Sequence, residues 1–134
     1  MKLFKCLISI TAGFLVGNAI YKYINNNDNR KTVKCFISTP MTGKDVNEVI
    51  HNLFIAKIEA AKLIKKERPD VNIKFIDSYD PYSTDNPVSL LSDAIHELGK
   101  CEYVYFTKKW KESRGCNIEH NVAESYNKKI LYEV

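Results

Sequence analysis

Hydrophobic and polar positions change rhythm along this chain. It opens on a nearly unbroken apolar run, Cys6 to Ile20, interrupted only by Ser9, Thr11, Gly13, Gly17 and Asn18. From Thr32 onward, short runs rich in β-branched and aromatic residues alternate with longer segments of helical period. Val33 to Ser38 reads as a first strand. Val46 to Lys66 reads as a long amphipathic helix, with Val46, Val49, Ile50, Leu53, Ala56, Ala60, Leu63 and Ile64 on one face. Val71 to Ile76 is a second strand, Val88 to Leu98 a second helix and Tyr103 to Phe106 a third strand. A polar, basic loop through Trp110 leads to a last helix with Ile118, Val122 and Tyr126 as its apolar stripe, and Ile130 to Tyr132 follows as a strand.

Strand and helix in strict alternation predict an α/β domain built on a parallel sheet covered on both faces. The expected architecture is a small doubly wound sheet of about four strands, flavodoxin- or Rossmann-like, preceded by an N-terminal hydrophobic helix. Three segments follow from this order: an anchor or signal segment at 1–24, a polar linker at 25–31 and the α/β domain at 32–134. Leu3 to Ile24 has roughly membrane-spanning length, with Tyr21 and Tyr23 at one end as in an interfacial belt. A cleaved signal peptide is the competing reading, because Gly17-Asn18-Ala19 matches a small-x-small cleavage site.

Charge bears on that choice. The excess of +4 arises wholly within residues 1–31, where five Lys/Arg face Asp28; residues 32–134 carry fifteen charges of each sign. The domain is neutral, so the basic balance is no argument for a nucleic-acid partner. Lys22, Arg30, Lys31 and Lys34 outnumber Lys2 and Lys5, which predicts a single-pass anchor with the domain in the cytoplasm. The alternative is secretion after signal cleavage. Cys6, Cys35, Cys101 and Cys116 form no C-x-x-C pair and read as free thiols. His51, His96 and His120 share no metal-ligand spacing, so neither metal nor cofactor is expected, and His120 is expected on the solvent side of the last helix.

Ligands of open α/β sheets bind beyond the carboxyl ends of the strands. Ser38 to Gly43, Asp77 to Asp80 and Thr107 to Ser113 must collect there. Glu119, near the start of the last helix, opens toward the same edge, at the border of the apolar stripe beside Ala123. The positive end of the helix favours an ionised carboxylate, and Gly115 lets a ligand approach the backbone. A first-turn acid with no chemical role is the plain alternative for Glu119, and an ordinary N-cap is the plain alternative for Ser113.

The motif Phe36-Ile37-Ser38-Thr39-Pro40-Met41-Thr42-Gly43, the acid Asp93 and the run Trp110 to Glu119 together resemble the nucleoside 2-deoxyribosyltransferase-like proteins, over about Val33 to Glu133. That superfamily includes deoxynucleoside monophosphate N-glycosidases. The resemblance implies Glu119 as the nucleophile at the anomeric carbon. It implies Asp93, expected at the start of the second helix, as the assisting acid. Ser38, Pro40, Met41, Gly43, Ser113, Arg114 and Gly115 would be the substrate-binding set. A serine at position 113 is similar to the monophosphate hydrolases, whereas the transferase branch tends to place a carboxylate there. Lys108 and Lys109 would add charge for a phosphate.

Three positions depart from the family's pattern. Thr39 replaces the glycine usual before the proline, Glu102 stands where aspartate is common, and no segment follows Val134, although in some relatives a carboxyl-terminal extension completes the neighbour's site across a homodimer. Tyr79, Tyr82 and Trp110 are candidates to stack on a base. The expected function is cleavage or transfer at the N-glycosidic bond of a small-molecule nucleoside or nucleotide. The alternative is a membrane-tethered, catalytically inactive nucleotide-binding or sensing module.

Overall fold

The computed structural model describes residues 18, 21, 22 and 29–134. Four parallel strands, β1 (Thr32–Ser38), β2 (Asn72–Ile76), β3 (Tyr103–Phe106) and β4 (Lys129–Tyr132), lie in the order β2-β1-β3-β4. Three helices connect them: α1 (Val46–Glu67), α2 (Pro87–Gly99) and α3 (Arg114–Ser125), with a 3₁₀ turn at Trp110–Glu112. The α/β class and the parallel four-stranded sheet follow the alternation read from the sequence.

Period-two alternation in the central strands divides the core. Val33, Cys35 and Ile37 of β1, with Tyr103 and Tyr105 of β3, pack against Val49, Leu53, Ala56, Ala60, Ala61 and Ile64 of α1. Phe36, Val104 and Phe106 point to the other face, where Ala94 and Leu98 of α2 and Ala123 of α3 cover them. One helix thus covers one face and two cover the other. β1 and β3 are neighbours whose following segments leave toward opposite faces, and this divergence opens a crevice beyond their carboxyl ends. Because each helix runs back antiparallel to the strands, all three helices begin at that same edge.

Local chemistry sets each start. Asp45 caps α1 by accepting from Asn47 N–H at 2.8 Å. Asn86 caps α2 by accepting from Val88 and Ser89 N–H at 3.0 and 2.9 Å, with Pro87 in the first turn, where its missing donor is harmless. Ser113 caps α3, its Oγ accepting from Cys116 N–H at 3.3 Å.

Several sequence expectations are corrected. Val46 and Ile50 are exposed, and burial on α1 begins at Val49. Val49, which lies between them, is 1% exposed, so α1 already packs on the sheet in its first turn and Ile50 lies on the flank of the buried face. On α3, Ile118 and Tyr126 are exposed at 38% and 73%, while Cys116, Glu119, His120 and Ala123 form the buried face. Hydropathy pointed to the wrong stripe because half of the true one is polar, Glu119 and His120, and these two find partners inside the fold. His120, expected at the solvent side, stacks on Trp110 with centroids 4.1 Å apart, and its Nε2 lies 2.7 Å from the Tyr132 hydroxyl. The expected N-terminal hydrophobic helix and linker fall almost wholly outside the described residues. Among the described residues no helix is long and apolar enough to cross a membrane.

Candidate functional site

An open cleft of about 1070 Å³ lies beyond the carboxyl edge of the sheet. Its lining comes from the segments after β1, β2 and β3 and from the first turns of all three helices. Glu119 forms part of its floor. The side chain is 7% exposed, and Ser38 Oγ donates to its Oε2. Burial pushes the carboxyl up to about 7, and the hydrogen bond from Ser38 opposes that rise only in part. Glu119 therefore sits inside the fold, a turn and a half from the start of α3, rather than at the border of a stripe.

Cys116 lies one turn earlier on the same buried face and also lines the cleft. Burial raises its thiol above the ordinary value, which disfavours the thiolate. The sequence marks Cys116 only as a free thiol and carries no signal of its place in the cleft.

The expected binding residues divide. Pro40, Met41, Ser113, Arg114 and Gly115 line the cleft. Ser38 is 1% exposed and acts beneath the surface, as the partner of Glu119. Gly43 is exposed and does not line the cleft. Its φ of +74° serves the turn closed by the Lys44 N–H to Met41 C=O bond of 3.2 Å. That correction moves Gly43 from ligand contact to backbone geometry.

Asp93 is the larger correction. It is the seventh residue of α2 rather than a first-turn acid, and it is exposed. Leu90, Leu91 and Ala94 of this helix face the cleft, and Asp93 is outside its lining. Pro87 starts the helix where Asn86 caps it, and that phase presents Ala94 inward, one residue past the acid. Among the aromatic candidates, Tyr79 lines the cleft, Tyr82 is 90% exposed, and Trp110 is taken up by its stack on His120.

Thr39 and Glu102 each have a structural partner. Thr39 and Thr107, at the ends of adjacent strands, are both buried, and Thr107 Oγ1 donates to Thr39 Oγ1 at 2.9 Å. This pair ties β1 to β3 at the cleft. Glu102 pairs with Arg68 at 2.7 Å, joining the end of α1 to the start of β3. Glu133 at the end of β4 accepts from Lys108 N–H and holds the loop after β3 in place.

The polar rim near α3 joins the Ser113 hydroxyl and Arg114 to Lys108 and Lys109, with Glu112 beside them. Ser113 Oγ accepts from Cys116 N–H as it caps the helix, and its hydroxyl also lies within hydrogen-bonding reach of the Cys116 thiol. Among the described residues no cluster of His, Cys, Asp and Glu could hold a metal ion.

The chain belongs to a family described as a domain of unknown function, DUF4406, whose model matches residues 33–132. No curated protein matches the sequence.

Proposed function

We propose that this DUF4406 protein binds a deoxynucleoside 5′-monophosphate in the cleft and acts on its N-glycosidic bond, with Glu119 as nucleophile. The observation that carries the reading is a buried carboxyl, fixed by Ser38, on the floor of a cleft beside a serine-capped helix start. The sequence resemblance to nucleoside 2-deoxyribosyltransferase-like proteins supports the same chemistry. A carboxylate with no role is costly to bury.

In this reading the phosphate lies against the Ser113 hydroxyl, the N–H groups that open α3, and Arg114, which suits an anion at a helix start. The Glu119 carboxylate attacks C1′. The C1′–N bond breaks with its electron pair leaving on the base, which takes up a proton. Water hydrolyses the glycosyl ester, or a second base displaces the carboxylate in a transfer. A 2-deoxy sugar favours this route, because no 2′-hydroxyl withdraws electron density from the cationic centre. The buried Glu119 must lose its proton first, so the rate rises with pH through about 7.

A second reading is a binding or sensing module without turnover, tethered to a membrane by the N-terminal segment. Ala94 favours it, since α2 presents no carboxyl to the cleft to assist the leaving base. Incubating the protein with a panel of deoxynucleoside monophosphates separates the two. Free base supports the enzyme, and saturable binding without free base supports the module.

A further inference from the structure

The loop after β3 supplies Lys108 and Lys109 to the cleft and ends at Ser113, the cap of α3. Lys109 has a φ of +65°, in the left-handed region that a lysine seldom adopts, so contacts from outside must hold the turn. Trp110 is the centre of those contacts. Its N–H donates to Thr107 C=O at 3.3 Å and its C=O accepts from Ser113 N–H at 3.1 Å, so where the indole is held, both ends of the loop follow. Asn117 closes the turn, its Nδ2 donating to Lys111 and Ser113 C=O at 2.8 and 2.7 Å.

The indole rests on His120. Their ring centroids are 4.1 Å apart and their planes 17° apart, closer and flatter than the contacts of Trp110 with Phe106 at 5.2 Å and with Tyr132 at 6.2 Å. The imidazole is itself fixed from two sides. Its Nε2 lies 2.7 Å from the Tyr132 hydroxyl at the end of β4, and Phe106 of β3 packs against its edge at 5.0 Å. An aliphatic side chain would fill this buried place without a polar nitrogen to satisfy, so packing alone does not account for a histidine here. His120 is outside the cleft lining, one residue past Glu119 on α3. We propose that His120 is a positioning residue: by stacking on Trp110 it sets the loop that carries Lys108, Lys109 and Ser113, and so holds the anion end of the cleft in a fixed place relative to Glu119. This rests on the monophosphate reading above and deepens it by naming what orders the phosphate site before the ligand arrives. A loop already ordered in the free protein loses less freedom on binding, and the affinity for the phosphate rises accordingly.

The test measures dissociation constants of the full chain for a deoxynucleoside monophosphate and for its nucleoside, together with the emission of Trp110, the chain's one tryptophan. His120→Gln keeps a partner for the Tyr132 hydroxyl but removes the ring, whereas His120→Phe keeps the ring and removes the hydrogen bond. His120→Gln is expected to shift Trp110 emission to the red and to weaken monophosphate binding by about tenfold, with nucleoside affinity unchanged. His120→Phe should keep both properties near wild type, with affinities within about twofold. Trp110→Leu removes the same stack from the other side and should repeat the loss of about tenfold, so the outcome does not depend on the folding of one variant. Thermal melts identify the folded proteins. A side chain that only stabilised the fold would lower Tm in His120→Gln and leave the ratio of the two affinities as in wild type. That result, or an equal loss in His120→Phe, would overturn the assignment of His120 while leaving the monophosphate reading intact. A wild type that binds nucleoside and monophosphate equally overturns both.

Discussion

Ser38 at the end of β1 donates a hydrogen bond to Glu119 on α3, joining two residues 81 positions apart on the face of the sheet that α2 and α3 cover. The bond fixes the carboxyl at the cleft floor, yet it does not offset the cost of burying a charge there. The carboxyl accordingly holds its proton up to about 7.

That shift makes stability depend on pH. The unfolded chain releases the Glu119 proton near 4.5, while the folded chain keeps it to about 7. Between these values the folded state binds more protons, so this group's contribution falls as pH rises through the window and levels off above it. The cost at pH 8 is on the order of 3 kcal/mol. Glu119→Gln, which keeps the acceptor for Ser38 and has no charge to bury, is expected to raise Tm at pH 8 by roughly 10 °C. At pH 4.5 the gain should nearly vanish. Equal melting of the two proteins across pH 4.5 to 8 would show that the carboxyl is not held protonated.

Much of the fold was legible in the sequence, because Val33 to Ser38 and Tyr103 to Phe106 carry the β-branched and aromatic runs that suit buried strands, and their alternation with helical segments implies a parallel sheet. The convergence of Pro40, Met41, Ser113 and Glu119 followed from element order alone. Helix phase was not legible. Ile118 and Tyr126 outweigh Glu119 and His120 on any hydropathy scale, whereas the burial of the latter depends on Ser38, Trp110 and Tyr132, contacts distant in the sequence. The same limit displaced Asp93, since one residue of helix phase separates it from the cleft-facing Ala94.

Ser113 separates a cap from a phosphate site. Aspartate caps a helix as well as serine does, so Ser113→Asp should leave Tm nearly unchanged. A carboxylate beside the bound phosphate repels it, and affinity for a deoxynucleoside monophosphate should fall by about 10- to 100-fold relative to the nucleoside. Calorimetric titration with both ligands checks this. An unchanged ratio would leave Ser113 as a cap alone.

Asp93 is exposed on α2 and is not part of the cleft lining. Asp93→Asn should therefore leave base release within about twofold of wild type and Tm within about a degree, as for other surface substitutions. A 100-fold loss of rate with unchanged melting would return Asp93 to the reaction.

The central claim is that Glu119 forms the bond to the sugar. The most direct measurement is base release from deoxynucleoside monophosphates by wild type and Glu119→Gln across pH 5 to 9, with binding followed in parallel. Wild type is expected to release base at a rate that climbs through pH about 7 and then levels, while Glu119→Gln binds the nucleotide and releases none. Turnover by Glu119→Gln near the wild-type rate would contradict the account.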